Sequence, residues 1–328
     1  STARRVIAVA AVVGRKFTSD LVDKLADRPK NEVRKAIAEG LNQQIIASWN
    51  MLGEDWYCFA HDLVHDDVYA SLPESTRLQL HRRLAETLEE ESGNDGSNTY
   101  EIALHYLRGD DPAKAHRYTL QAARTAKAAY ANREAIYFFS EALKLLPGQN
   151  DELELSILED LGDACVLDGR YDSAKDHYQR VLTLVSNRMH RARLEGKIGD
   201  MYFRRGMNES AIEHLKTGLA HLGVSLPRTT IGLYGSIALN VIRQIFHRCI
   251  PCSWLLLSNK RQREICRLAV NSCHSLAYAY YFLDAPRTLC IHLRQLNLSE
   301  RLGDSPELAH TYSSHGIVCS LIPLHSRA

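Results

Sequence analysis

Through the middle of the chain, apolar and polar positions recur with helical rather than strand period, and small residues sit among them at fixed offsets. Ala135, Ala174 and Ala211 each follow a small residue twelve positions earlier and precede a bulky one four positions later. In the central copy Leu161-Gly162 opens a helical hairpin, Gly169 and Tyr171 mark its turn, and Ala174, Tyr178 and Val181 line the second helix. The next copy places Ile198-Gly199, Tyr202, Gly206, Ala211, Leu215 and Leu219 at the same relative positions. A weaker earlier copy has Ala122-Ala123, Tyr130, Ala135, Phe139, Ala142 and Pro147. Small residues let two helices approach closely, large ones fill the groove beside them, and glycine allows a positive φ at the turn.

These marks resemble the tetratricopeptide repeat. Ala135 to Ala174 is 39 residues and Ala174 to Ala211 is 37, against a usual period of about 34. The excess predicts lengthened loops near Gln149-Asn150 and Asn187-Arg188. A repeat of this kind implies an α-solenoid whose concave face binds a protein or peptide, or a small inducer.

The first hundred residues follow a different pattern. Arg4–Val13 reads as a buried helix, Thr18–Ala26 as a second that opens on a threonine cap, and Asn31–Leu41 as a third. Gln43–Trp49 and Trp56–Ala60 read as short strands around a turn at Met51-Leu52-Gly53-Glu54. Three helices and a β-hairpin describe a winged helix. His61–Leu72 and Ser75–Glu90 then read as helices separated by Pro73. Leu84 and Leu88 would be buried, while Arg82, Arg83, Glu86, Glu89, Glu90 and Glu91 would form a solvated, ion-paired face. The predicted fold class is therefore all-α, a winged-helix-like module with one small β-hairpin followed by a tetratricopeptide-type α-solenoid. Its expected divisions are the module with trailing helices at 1–91, a flexible linker at 92–98, repeats at 99–228, a connecting amphipathic helix at 229–260 and further repeats at 261–328, cut short at the C-terminus.

Composition narrows the function. The 328 residues suit roughly two or three domains, and a net charge of +1 gives no field for nucleic acid. Residues 1–90 hold 12 Lys and Arg against 14 Asp and Glu, without the basic footprint a DNA-reading winged helix needs. The apolar patches of Ile231–Leu257 are broken by Arg243, His247 and Arg248, short of the ~20 clean residues that span a bilayer. That stretch reads as an amphipathic helix, with surface attachment to a membrane the other reading. Eight cysteines in a chain without a secretory leader read as thiols in a reducing, cytoplasmic compartment. Cys249-Ile250-Pro251-Cys252 lacks the second CxxC of a zinc ribbon, since Cys266 and Cys273 lie two turns apart along one helix. Tyr278, Tyr280, Tyr281 and Phe282 read as core and repeat interface.

The order of residues before Glu101 also resembles a known family. Ala10–Phe17, Leu41, Tyr57–Val64, Val68-Tyr69 and Leu80–Ala85 look like the segment after the nucleotide-binding core of STAND-class signalling ATPases, which are related to AAA ATPases. Tyr100–Leu146, Leu298–Gly303 and Pro306–Ala309 look like the repeat region of the same proteins. The resemblance implies ATP or ADP with Mg bound by a nucleotide-binding domain upstream of Ser1, with kinase, cyclase or transcription-activator modules elsewhere in the parent. This chain itself lacks a phosphate-cradling loop, because Gly14-Arg15-Lys16 has no glycine at the needed spacing before it. It is expected to be a non-enzymatic internal fragment, and Leu324–Ala328 is too short for a closing helix. Through Phe59-Ala60-His61, the resemblance makes His61 a candidate sensor of the ADP β-phosphate. The plain alternative is a histidine that caps the helix or packs at the hairpin's end. His61 and His65, at i and i+4, also suggest a zinc hydrolase with Asp62 in place of Glu, but no third ligand follows from spacing. The repeat-defining positions are Gly162, Gly169, Tyr171, Ala174, Tyr178, Gly199, Tyr202, Gly206 and Ala211. Two other functions stay open: a constitutive scaffold for protein assembly, and part of a transcription activator whose DNA-binding module lies outside these residues.

Overall fold

The structure, a computed structural model, describes residues 2–51, 54–93, 98–146, 148, 151–249 and 254–321. Two compact units divide between Ala164 and Cys165. The predicted turn at Leu52-Gly53, the centre of the predicted linker, the loop at Gln149-Asn150, Pro147, Cys252 and the last seven residues lie outside the described set.

The first unit opens with α1 (Thr2–Val13), β1 (Lys16–Thr18), α2 (Ser19–Leu25), α3 (Lys30–Asn42), β2 (Ile46–Met51) and β3 (Glu54–Phe59). The three strands form an antiparallel sheet in the order β1-β3-β2, with Phe17 opposite Tyr57 and Ile46 opposite Phe59. The Thr18 hydroxyl accepts the Leu21 N–H at 3.4 Å, so one residue closes β1 and caps α2. From Val6 to Val12 every side chain of α1 is buried, and α3 packs on it. A Cβ on Gly40 would lie 3.0 Å from Ile7 Cδ1 and 3.2 Å from Ile46, so the glycine allows α3 to close onto both α1 and β2. This is a winged-helix arrangement with a third strand that local pattern does not announce.

Helices α4 (Asp62–Ala70) and α5 (Glu74–Ser92) follow, then α6 (Thr99–Leu107), α7 (Pro112–Ala128), α8 (Asn132–Lys144) and α9 (Asp151–Leu167). Leu84 and Leu88 are buried as expected. The predicted solvated face of α5 is only partly so: Arg83 forms a bidentate pair with Asp27 at 2.6 and 2.8 Å, and Glu89 accepts from Tyr106 and Lys114 at 2.6 and 3.1 Å. Thus α5 packs directly on α6, and residues 92–98 join two helices already held together. Lys127, half-buried on α7, reaches Asp160 and Asp163 on α9 at 2.7 and 2.8 Å.

In the second unit, α10 (Tyr171–Leu184), α11 (Arg188–Arg204), α12 (Asn208–His221), α13 (Thr230–Cys249), α14 (Lys260–Tyr280), α15 (Ala285–Ser299) and α16 (Pro306–Leu321) follow. Helices α11 and α12 pair, as do α14 and α15. Among the described residues the chain is all-α apart from its small sheet. Ala135, Ala174, Ala211, Tyr178, Leu215 and Leu219 are buried, and Tyr202 is buried with its ring stacked on His214 at 5.3 Å. A Cβ on Gly199 would lie 2.5 Å from Leu215 Cγ and 3.3 Å from the Ala211 carbonyl. Gly169 and Gly206 take φ of +79° and +81° in the turns that follow α9 and α11. Tyr130, five residues before its alanine just as they are, takes φ of +56° with its ring 77% exposed.

These turns and contacts set two stability outcomes. Gly199→Ala should lose ~1–2 kcal/mol by overpacking, although alanine is the better helix former. Gly196→Ala, whose Cβ would meet only Ser272 Oγ at 3.4 Å, should gain up to ~1 kcal/mol; urea denaturation of both variants reads the contrast, and equal effects would refute the close-approach account. Tyr130→Gly should gain ~0.5–1 kcal/mol by removing left-handed strain that exceeds the added chain entropy, read as a higher urea midpoint.

Candidate functional site

The sequence places its sharpest chemistry at the start of α4, where β3 ends. His61 occupies the cap position in extended backbone, φ −139° and ψ 143°, but its imidazole makes no cap hydrogen bond. The ring is exposed and has no hydrogen-bond partner among the described residues. Side-chain capping by His61 is therefore corrected. The carboxylate beside it is tied instead: Arg15 Nη1 donates to Asp62 at 2.7 Å, fixing the turn after α1 against the start of α4.

His65, one turn on, points elsewhere. Its Nε2 lies 3.0 Å from the Ala11 carbonyl and its Nδ1 2.8 Å from the Asp66 carboxylate. Its ring meets Phe59 edge-on at 5.2 Å and stacks on Tyr69 at 6.2 Å. The i, i+4 histidine pair thus does not converge on one point, and no group of three or more His, Cys, Asp or Glu among the described residues could hold a metal ion.

A run of polar aromatics continues inward from there. The Tyr69 hydroxyl lies 2.8 Å from His81 Nε2, and His81 Nδ1 lies 3.0 Å from His105 Nδ1. Both imidazoles are buried, and their rings stack at 5.2 Å. Burial, then the neighbouring His105, holds His81 down to about 3; burial, then Arg108, holds His105 down to about 4. The pair is neutral near pH 7 and links α4 through α5 to α6. Nearby, burial works against the Glu89 carboxylate, but hydrogen bonds from Tyr106, Tyr118 and Lys114 hold it ionised down to about 2.

A cavity of about 460 Å³ opens beside this run, walled by the end of α1 from Ala11 to Val13, then Gly14 and Arg15, and by His65, Asp66, Tyr69, His81 and Arg108. His61 is not among its walls. The segment Val9–Lys16 expected to fail as a phosphate loop is the end of α1, a turn and the start of β1, with no strand leading into a helix. Sequence reasoning chose His61 from its motif position; the buried histidines at 81 and 105 fell within helical patterns that gave no hint of their meeting.

Of the remaining candidates, Cys266, Cys273 and Cys290 are buried thiols. Burial pushes Cys273 up to about 12, so it is a poor nucleophile. The bulky run on α14 is corrected: Tyr280 is buried, whereas Tyr278, Tyr281 and Phe282 are exposed. Among the described residues no helix is long and apolar enough to cross a membrane.

No protein-family model matches the chain, and no curated protein matches it. Among solved structures it is similar to BtubC from P. vanneervenii, at 15% identity and TM-score 0.42 over 79% of this chain and 87% of that one. It is also similar to a signal transduction ATPase with numerous domains, bearing a tetratricopeptide repeat sensor, from Pyrococcus horikoshii, at 11% identity and TM-score 0.39. That match covers all of this chain and 48% of the other, so the chain spans about half the length of that protein. Neither likeness, at so low a score, establishes a function for this chain.

The neutral histidine pair makes stability depend on pH. Unfolded histidines take up protons below about 6.5, while the native pair does so only near 3 to 4. Stability is therefore full above pH ~6.5 and is lost as pH falls toward 4. Glu89 adds a loss in the same direction, but only below the ordinary glutamate range. Between pH 5 and 6, His81→Gln should remove about one proton of this dependence, ~1.4 kcal/mol per pH unit. Urea unfolding of the full chain measures it, and an unchanged slope would refute the buried neutral pair.

Proposed function

We propose that this chain is the regulatory, ligand- or protein-binding part of a larger signal-transduction ATPase, coupling occupancy of its helical repeats to a nucleotide switch upstream. One observation carries this reading. The winged-helix-like module and the first repeat helices are joined by polar contacts, the buried pair His81–His105 and the part-buried cluster of Glu89 with Tyr106 and Lys114, rather than by residues 92–98 alone. A displacement of α6 and α7 is thereby passed to α5 and α4, and not absorbed in a linker.

At the far end of that connection stands His61, exposed and without a hydrogen-bond partner among the described residues, with the start of its helix held by Arg15. Such an imidazole is free to donate to an anion presented from outside the module. The chain offers no phosphate loop, so a neighbouring domain would hold ADP and Mg, and this chain would contribute His61 alone. Bound ADP would supply a charged phosphate oxygen as acceptor. The module's part is to bring His61 to that oxygen in one arrangement and withdraw it in another. Repeat ligand and ADP need only prefer different arrangements for each to change the other's affinity. The low basic charge of residues 1–90 supports a partner other than a DNA duplex.

The test is made on the parent polypeptide, read from its transcript upstream of the Ser1 codon. A reading frame with Gly-x-x-x-x-Gly-Lys-Ser/Thr after a strand is expected. In that protein His61→Ala should weaken ADP binding ~10- to 100-fold, the loss of a charge-assisted hydrogen bond of about 1.5–3 kcal/mol. Unchanged ADP affinity, or the absence of a nucleotide-binding domain, would favour the constitutive scaffold instead.

A further inference from the structure

A second cavity lies wholly in the second unit, with a chemistry unlike the others. It has a volume of about 480 Å³ and is bounded by α11, α12, α14, α15 and α16. The cavities beside α1 and beside the loop 223–228 carry Arg15, Asp66 and Arg108, or Lys216, Arg228 and Arg287. Among the described residues lining this one, none is Asp, Glu, Lys or Arg. Phe203, Ala277 and Val318 supply apolar wall, and Tyr278, Tyr281 and Phe282 supply three rings.

Those rings are the run at the end of α14 that the sequence assigns to the core. Phe282 is 93% exposed, and it meets Tyr281 edge-on at 4.7 Å. Leaving aromatic surface of this size in water forfeits burial energy that the neighbouring Tyr280 does gain. Grouped exposed apolar residues on a concave surface mark an interaction site more often than single ones do.

The polar groups are few and uncharged. His274 meets Tyr278 edge-on at 4.8 Å, and its Nε2 lies 2.9 Å from His310 Nε2. His292, buried, places Nε2 3.1 Å from His315 Nδ1. Gln295 donates to the Thr311 hydroxyl at 3.1 Å. Burial, then the adjacent imidazoles, holds His292 down to about 4, and burial followed by His310 lowers His274. His274 and His292 are therefore without net charge near pH 7. A cavity of this volume, mostly apolar and ring-lined with a few convergent polar groups, has the character of a small-molecule site.

We propose that this cavity binds an uncharged, planar apolar small molecule, its ring held among Tyr278, Tyr281 and Phe282 and its polar group turned toward His274, His292 and Gln295. A phosphorylated or strongly ionised ligand would find no counter-charge there and would give up its hydration. The inference deepens the proposed function, since it names the kind of ligand the repeats would sense. It stands or falls on this chain alone, with no nucleotide involved.

The probe is N-phenyl-naphthylamine, a neutral amine bearing a naphthyl and a phenyl group whose emission rises in apolar surroundings, titrated into the full chain. Saturable binding of one probe per chain is expected. Tyr278→Ala with Phe282→Ala should raise Kd at least ~10-fold; both side chains are exposed, so far-UV circular dichroism should not change. Ile242→Ala with Phe246→Ala, equally exposed but on α13, should leave Kd unchanged, and anilinonaphthalene sulfonate, its anionic counterpart, should bind at least ~10-fold more weakly. Non-saturable binding, binding indifferent to Tyr278 and Phe282, or loss that follows the α13 variant would overturn the site. Equal or tighter binding of the sulfonate would overturn the ligand class.

Discussion

Close approach of paired helices is the constraint on which the rest depends. Where α12 crosses α11, Gly199 faces Leu215 and the Ala211 carbonyl so nearly that even a methyl group would collide. Gly218 stands likewise against the Ala192 carbonyl, where a Cβ would come within 3.1 Å. Two such contacts fix both the distance and the rotation of the pair. Tyr202 of α11 is buried against His214 of α12 across that contact.

The same constraint explains what the sequence made legible. Small-to-large spacing is local, so Gly162, Gly169, Ala174, Gly199, Gly206 and Ala211 announce helical hairpins from their spacing alone. Thr18 announces its cap, and Leu84 and Leu88 their buried stripe, for the same reason. What depends on distant parts of the chain stays hidden. β1 is three residues long and exists only because β3, some forty residues on, accepts it. Arg83 leaves its own helix's glutamates for Asp27, and Glu89 becomes an acceptor for Tyr106. Tyr278, Tyr281 and Phe282 match the composition of a core but sit where α14 runs out, on the side away from Tyr280.

The candidate site was legible in part. The motif around Phe59-Ala60-His61 singles out an imidazole that is exposed at the start of α4. It could not show that His65 turns inward, or that a relay of Tyr69, His81 and His105 lies behind it. Such a relay is made of residues on three helices, each unremarkable in its own pattern. The two cavities of interest differ in kind: one is edged by Arg15 and Arg108 beside the module, and the other has no Asp, Glu, Lys or Arg among the described residues that line it.

Helix α13 departs from the pairing rule. It packs on α15, while α12 passes it by to reach α14 directly. Asn240 and Gln244 hold Asn297 and Glu300 across that contact, and the outer side keeps Ile231, Tyr234, Ile242 and Phe246 exposed. A solenoid built only of sequence neighbours can grow one hairpin at a time, each copy templating the next. Here the order of assembly is interrupted: α13 emerges before the surface it needs, and must wait, apolar side uncovered, until α14 and α15 have closed on each other.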